Sequence, residues 1–107
     1  MTESEFLERA EATLRAIEQA VDATGADIES ARSGNVLTLE LGNGSRLIIN
    51  SQAPMQQIWV AAKSGAHHFS ASGDSWIDTR DGSELFAALS RLISSQGEEA
   101  VVLAQKI

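Results

Sequence analysis

The stretch that most limits what this chain can fold into runs from Val36 to Asn50, VLTLELGNGSRLIIN. Leu37, Leu39 and Leu41 alternate with Val36, Thr38 and Glu40, the period of two that gives a strand one apolar and one mixed face. Gly42-Asn43-Gly44 then supplies three residues that tolerate positive φ and suit a tight reversal. From Ser45 to Asn50 the alternation resumes, with Leu47 and Ile49 inward and Arg46, Ile48 and Asn50 outward. The run predicts a β-hairpin with one buried face.

Pro54, the single proline, has no amide hydrogen and disfavours helix at Ala53, so it separates the hairpin from a third strand, Gln57 to Ala62. Ile58, Val60 and Ala62 take its inner face; Gln57, Trp59 and Ala61 take the outer one. A tryptophan there is either an edge residue covered by a neighbouring loop or an aromatic anchor for another protein, a role in which Trp is enriched. Further on, Ala66 to Ala71 reads as a fourth strand with Phe69 and Ala71 inward, and Ser75 to Asp78 as a short strand carrying Trp76 and Ile77. His67 and His68 point to opposite faces of their strand and cannot chelate one ion together.

Helices bracket these strands. Between Ser4 and about Thr24, Phe6, Ala10, Leu14, Ile17 and Val21 recur at three- and four-residue spacings and form one buried stripe, with Gly25 as the stop. Asp81-Gly82-Ser83-Glu84 opens the second helix, with Asp81 as the expected N-cap and Glu84 in the capping-box position. Leu85, Leu89 and Leu92 form its buried face, flanked by Phe86 and Ile93, and Gln96-Gly97 ends it. Ala100 to Ala104 reads as a short apolar tail lying against the helices. A weakly patterned first strand, Asp27 to Arg32, completes the order of helix, antiparallel strands, helix. Two amphipathic helices and one apolar sheet face predict a single α+β domain over 1–107, a two-layer sandwich with both helices on one face of the sheet.

Charge is distributed unevenly. The net charge is −7, yet residues 1–29 alone hold eight acids against two bases. Such a field disfavours nucleic acid and anionic membranes and attracts cations or a basic protein patch. On the helix surface Glu11 can pair with Arg15, whereas Glu18 and Asp22 have no base at a matching position. Asp27 and Glu29 follow two residues apart, on one face of the next strand. Four unpaired carboxylates at one edge are either ordinary solvated surface or an all-oxygen site suited to hard cations.

Absences matter too. With no cysteine, the chain has no disulfide, no thiolate nucleophile and no thiolate-held zinc or iron–sulfur cluster. No apolar run approaches the ~18 residues of a membrane span. The acidic start, MTESEFLERAE, lacks the features of a secretory signal or transit peptide, so the expected location is cytoplasmic. The acids lie on exposed surfaces where nothing raises a carboxylate pKa, and no Gly-rich phosphate loop follows a parallel strand. An enzyme is not expected.

The run NGSRLIINSQAPMQQIWVAAKSG, with His68-Phe69 and Gly73-Asp74-Ser75-Trp76-Ile77 after it, resembles the bacterial, CyaY-type branch of the frataxin family. The pattern Asn-x-Gln-x-Pro-x-x-Gln-Ile-Trp, here Asn50 to Trp59, carries the resemblance, which extends through nearly the whole chain. It implies the same sandwich and weak binding of iron at surface carboxylates; a monomer is the expected state. It also implies docking on the cysteine desulfurase and the scaffold protein of iron–sulfur cluster assembly, as regulator, iron supplier or both. By position, Glu18, Asp22, Asp27 and Glu29 match the family's acidic ridge, and Asn50, Gln52, Gln57 and Trp59 its sheet-surface motif. Glu18 and Asp22 serve in this reading as both metal and partner residues. Bacterial members often crowd aspartates at the helix end, where this chain reads Asp22-Ala23-Thr24-Gly25-Ala26-Asp27, a thinner ridge. The alternative is an α+β interaction module whose acidic edge docks a basic partner and holds no metal.

Overall fold

The computed structural model describes residues 1–104. Helix α1 spans Glu3–Thr24. Thr2 caps it: its hydroxyl accepts from the Glu5 amide while the Glu5 carboxylate accepts from the Thr2 amide at 2.9 Å. That amide bond, with the Thr2 hydroxyl, holds the Glu5 carboxyl below its ordinary pKa. Gly25 closes the helix at φ 70°, a left-handed conformation that a side chain would strain.

Six strands follow: β1 Ile28–Ser33, β2 Val36–Leu41, β3 Arg46–Gln52, β4 Gln57–Ala62, β5 Gly65–Ser72 and β6 Ser75–Asp78. They form one antiparallel sheet in chain order, each paired with its sequence neighbour. Cross-strand partners share a face, so register sorts the side chains into rows. Arg32, Leu37, Ile49, Val60 and His67 form a row on the helix side. Val36, Asn50, Trp59 and His68 form a row on the other side. The inward leucines and isoleucines of β2, β3 and β4 and the α1 stripe join one buried cluster with Leu85, Leu89 and Ile93 of helix α2, Leu85–Gly97. Each such side chain contributes about 1.5–3 kcal/mol by leaving water. This is the α+β sandwich that the alternation and the two amphipathic stripes predict.

The start of α2 differs from expectation. Glu84, not Asp81, is the N-cap; its carboxylate accepts from the amides of Phe86 and Ala87. Asp81 instead accepts from the Ser83 amide, which holds its carboxyl below the ordinary value. The reason lies in the sheet. The Asp78 amide donates to the Ser83 carbonyl and Ile77 bridges to Glu84, so strand-like pairing persists three residues further than local sequence suggests. Asp78 itself is buried and accepts from the amides of Arg80 and Asp81, which fixes the turn between them.

The other end of α2 is also tied to the sheet. The Gln96 side chain donates to the Arg46 carbonyl and accepts from the Lys63 amide, and Asn43 in the β2–β3 turn donates to the Gln96 carbonyl. The apolar tail lies against α2, as expected. Val101 and Leu103 are buried and Val102 faces water, with Ser94 and Ser90 bonding the tail backbone.

Candidate functional site

The acidic edge is built where α1 passes β1. Register sets the parity of β1: Ile28 lies opposite the core residue Leu41, so Ile28, Ser30 and Arg32 face the helices. Arg32 therefore extends under α1. One terminal nitrogen lies 2.9 Å from Glu18 Oε1, the other meets Glu11 Oε1, and Nε donates to the Gly34 carbonyl at 2.8 Å. Burial pushes the guanidinium pKa down, but the hydrogen bonds and charges of Glu18 and Glu11 outweigh it and hold the pKa above the ordinary arginine value. Arg15 reaches Glu11 from the next turn at 3.3 Å.

This corrects the expectation of four unpaired carboxylates. Glu18 has a base, supplied by a strand residue fourteen positions away. Asp22 stays exposed, and it shares a shallow groove with Arg15, Glu18, Gln19 and Ser30. Asp27 precedes β1 rather than belonging to it, and its carboxylate sits over Gly42, where an added Cβ would meet Asp27 Oδ2 at 2.9 Å. Glu29 lies opposite Glu40 on the sheet face away from the helices. The edge thus brings Glu11, Glu18 and Asp22 onto one helix face and leaves Asp27 and Glu29 on different surfaces. Among the described residues no three His, Cys, Asp or Glu side chains are grouped to hold a metal ion. The donor set fits a hydrated cation held weakly by exposed carboxylates, not a closed coordination sphere.

The open sheet face is ordered differently. Trp59 is partly buried there by its own row: the His68 ring stacks on it with centroids 4.4 Å apart and planes 15° apart. Its indole N–H donates to Gln57 Oε1 at 2.7 Å, and Gln57 in turn donates to Ser70 at 3.4 Å. Asn50 is the cross-strand partner of Trp59, Gln52 that of Gln57, and Ile48 is exposed beside them. The four motif residues therefore share one surface. A neighbouring imidazole covers part of the tryptophan.

Sequence reasoning missed two residues. Strand alternation separates His68 from His67 but does not reveal its stacking on Trp59. On opposite faces, as expected, His68 stacks on Trp59 while His67 Nδ1 lies 3.6 Å from the buried Asp78. Arg32 was detectable in principle, because counting by twos from Ile28 puts it on the helix side.

A model of the frataxin-like domain matches residues 1–99. The chain is 60% identical to the iron–sulfur cluster assembly protein CyaY of Janthinobacterium sp. (strain Marseille), covering 96% of each chain. Against the protein of that name from Herminiimonas arsenicoxydans the identity is 56%, again over 96% of each. Among solved structures, a frataxin from Psychromonas ingrahamii superposes with a TM-score of 0.91 at 37% identity, covering 98% of this chain and all of that one. Trimeric yeast frataxin, solved in complex with ferrous iron, gives 0.66 at 26% identity, covering 92% of this chain and 88% of that one. With that match over most of its length, its high-identity relatives and the shared fold, this chain belongs to the frataxin-like family.

Proposed function

We propose that this protein is a non-catalytic accessory of iron–sulfur cluster assembly in the cytoplasm, acting as a monomer. It docks on a cysteine desulfurase through the acidic edge at Glu18 and Asp22. It docks on the scaffold protein through the open face at Asn50, Gln52, Gln57 and Trp59. Ferrous iron is its weakly held cargo, associated with Glu18, Asp22, Asp27 and Glu29. The observation that carries this reading is the pairing of an exposed acidic edge with a pre-ordered aromatic platform on the open sheet face. Acids without a closed cage suit exchangeable iron, and a tryptophan fixed by stacking suits a protein anchor. The assembly role itself comes from the relatives' names.

A second reading, an interaction module that holds no metal, is favoured by one contact: the Arg32–Glu18 pair, which occupies a carboxylate that iron would use. Titration with ferrous ion under nitrogen, followed by amide chemical shifts, separates the two. The first reading expects shifts concentrated between Glu18 and Glu29. A titration in which those amides stay still leaves the second.

A further inference from the structure

We infer that Met55 is a reversible oxidation site, whose thioether takes an oxygen atom from a hydroperoxide and is restored by a dithiol-dependent sulfoxide reductase. This chemistry requires neither the acidic edge nor the open face.

With no cysteine in the chain, sulfur is confined to Met1 and Met55, and no thiol competes for an oxidant. Methionine commonly fills gaps in apolar cores, yet neither methionine here enters the buried cluster. Met55 is 59% exposed and Met1 51% exposed, whereas Trp76 is buried and His68 covers part of Trp59.

The turn between β3 and β4 presents Met55 to water. Gln52 pairs with Gln57 across its base, and the Gln56 amide donates to the Ala53 carbonyl at 3.1 Å. Ala53 packs against the core, and Pro54 fixes the backbone that follows it. Gln56 is left-handed at φ 50°, and its side chain donates to the Met1 carbonyl at 2.9 Å. One end of the turn is thus anchored inward and the other is tied to the start of the chain. The thioether reaches the core only if these contacts break.

In the forward step the sulfur lone pair attacks one peroxide oxygen. The O–O bond breaks, the S–O bond forms, and the other oxygen takes the transferred proton and leaves as water or an alcohol. Sulfur loses two electrons and the peroxide gains them. Reduction by a dithiol returns the thioether, with a disulfide and water as products. A sulfoxide is polar and disrupts a packed core, but an exposed turn accommodates it. The domain therefore keeps its fold through the cycle, and a reductase reaches the sulfoxide without unfolding it.

Peptide mapping by mass spectrometry tests this on the full chain, treated with hydrogen peroxide in a chelated, metal-free buffer. Met55 should convert within about threefold of the rate for methionine in a short unstructured peptide, with both tryptophans intact. Protection of about tenfold or more, or loss of a tryptophan first, would overturn the exposure on which the site depends. Met55→Leu should take up one oxygen fewer than the parent; equal uptake would place the reaction elsewhere. The oxidised parent should melt within about 3 °C of the reduced one, the range of a surface change. A larger loss, or amide shifts spreading from the turn to Leu47 and Phe69, would show a sulfur packed into the core. Finally, the two stereospecific methionine sulfoxide reductases, supplied with dithiothreitol, should return the folded chain to its starting mass. A Met55 sulfoxide that resists both enzymes until the chain is denatured would make the oxidation a one-way lesion and overturn the inference.

Discussion

At the acidic edge, Glu11 and Glu18 are held by a guanidinium reaching across from β1; on the open face, Trp59 is held by an imidazole from the adjacent strand β5 and a carboxamide two residues away on its own strand. The first set is fixed by charge that an incoming cation can replace. The second is fixed by stacking and a neutral hydrogen bond that a partner has no reason to break. The edge is therefore expected to act through steering and exchange, with affinity that falls as salt rises, because exposed charges are screened beyond about 8 Å at physiological ionic strength. The platform is expected to act through pre-paid ordering: an aromatic ring that loses no rotamer freedom on binding returns more of its contact energy as affinity.

Charge reversal at the edge should break the comparison most severely. Replacing Glu18 and Asp22 together by Lys turns two attractions into two repulsions and frees Arg32 to add a third. Desulfurase binding should fall by about 3 kcal/mol or more, beyond detection in a pull-down, while far-ultraviolet dichroism stays native. Binding of the parent protein should weaken steeply between low and physiological salt. A salt-insensitive complex would mean that the desulfurase contact is chiefly apolar and that the two surfaces have exchanged roles.

Trp59→Ala probes the other surface. Partial burial and the His68 stack make the ring worth about 1–2 kcal/mol to the isolated domain, below the ~3–5 kcal/mol of a core aromatic such as Trp76, which is 3% exposed. Scaffold binding should drop by about 2 kcal/mol or more if the ring is an interface anchor. Urea unfolding and a binding titration on one preparation give both numbers. A stability loss near that of a core aromatic, with scaffold affinity intact, would make Trp59 a packing residue and leave the open face without a centre.

The two surfaces were not equally legible in the sequence. The platform was, because strand parity is local: Ile58 and Val60 inward force Trp59 outward, and the hairpin alternation sets its row. The edge was legible only in part. The α1 spacing placed Glu11, Glu18 and Asp22 on one face, but the base for Glu18 comes from β1, whose small and polar residues (Ser30, Ala31, Ser33) carry little periodic signal. The same long-range pairing explains the cap of α2. Asp81 looks like an N-cap locally, and the bridge from Ile77 to Glu84 overrides it.

The smallest effect separates the members of the acidic edge from one another. Sequence alone treats Glu18 and Asp22 as equivalent acids near the negative end of the helix dipole, so neutralising either should relieve repulsion. The structure divides them. Asp22 is exposed, no base lies in the last turn of α1, and the Gly25 amide already satisfies the Asp22 carbonyl. Asp22→Asn removes a charge that the dipole disfavours and should stabilise the domain by about 0.5 kcal/mol. Glu18→Gln removes the 2.9 Å partner of a guanidinium that is four-fifths buried, and should destabilise it by about 1 kcal/mol. Opposite signs are the point of the measurement, and thermal unfolding of the two single variants at low ionic strength resolves them. High salt should shrink both shifts, the Asp22 shift more completely, because that carboxylate is the better solvated. Stabilisation by both changes would show that Arg32 does not hold Glu18 in solution and that the edge carries a free carboxylate pair after all.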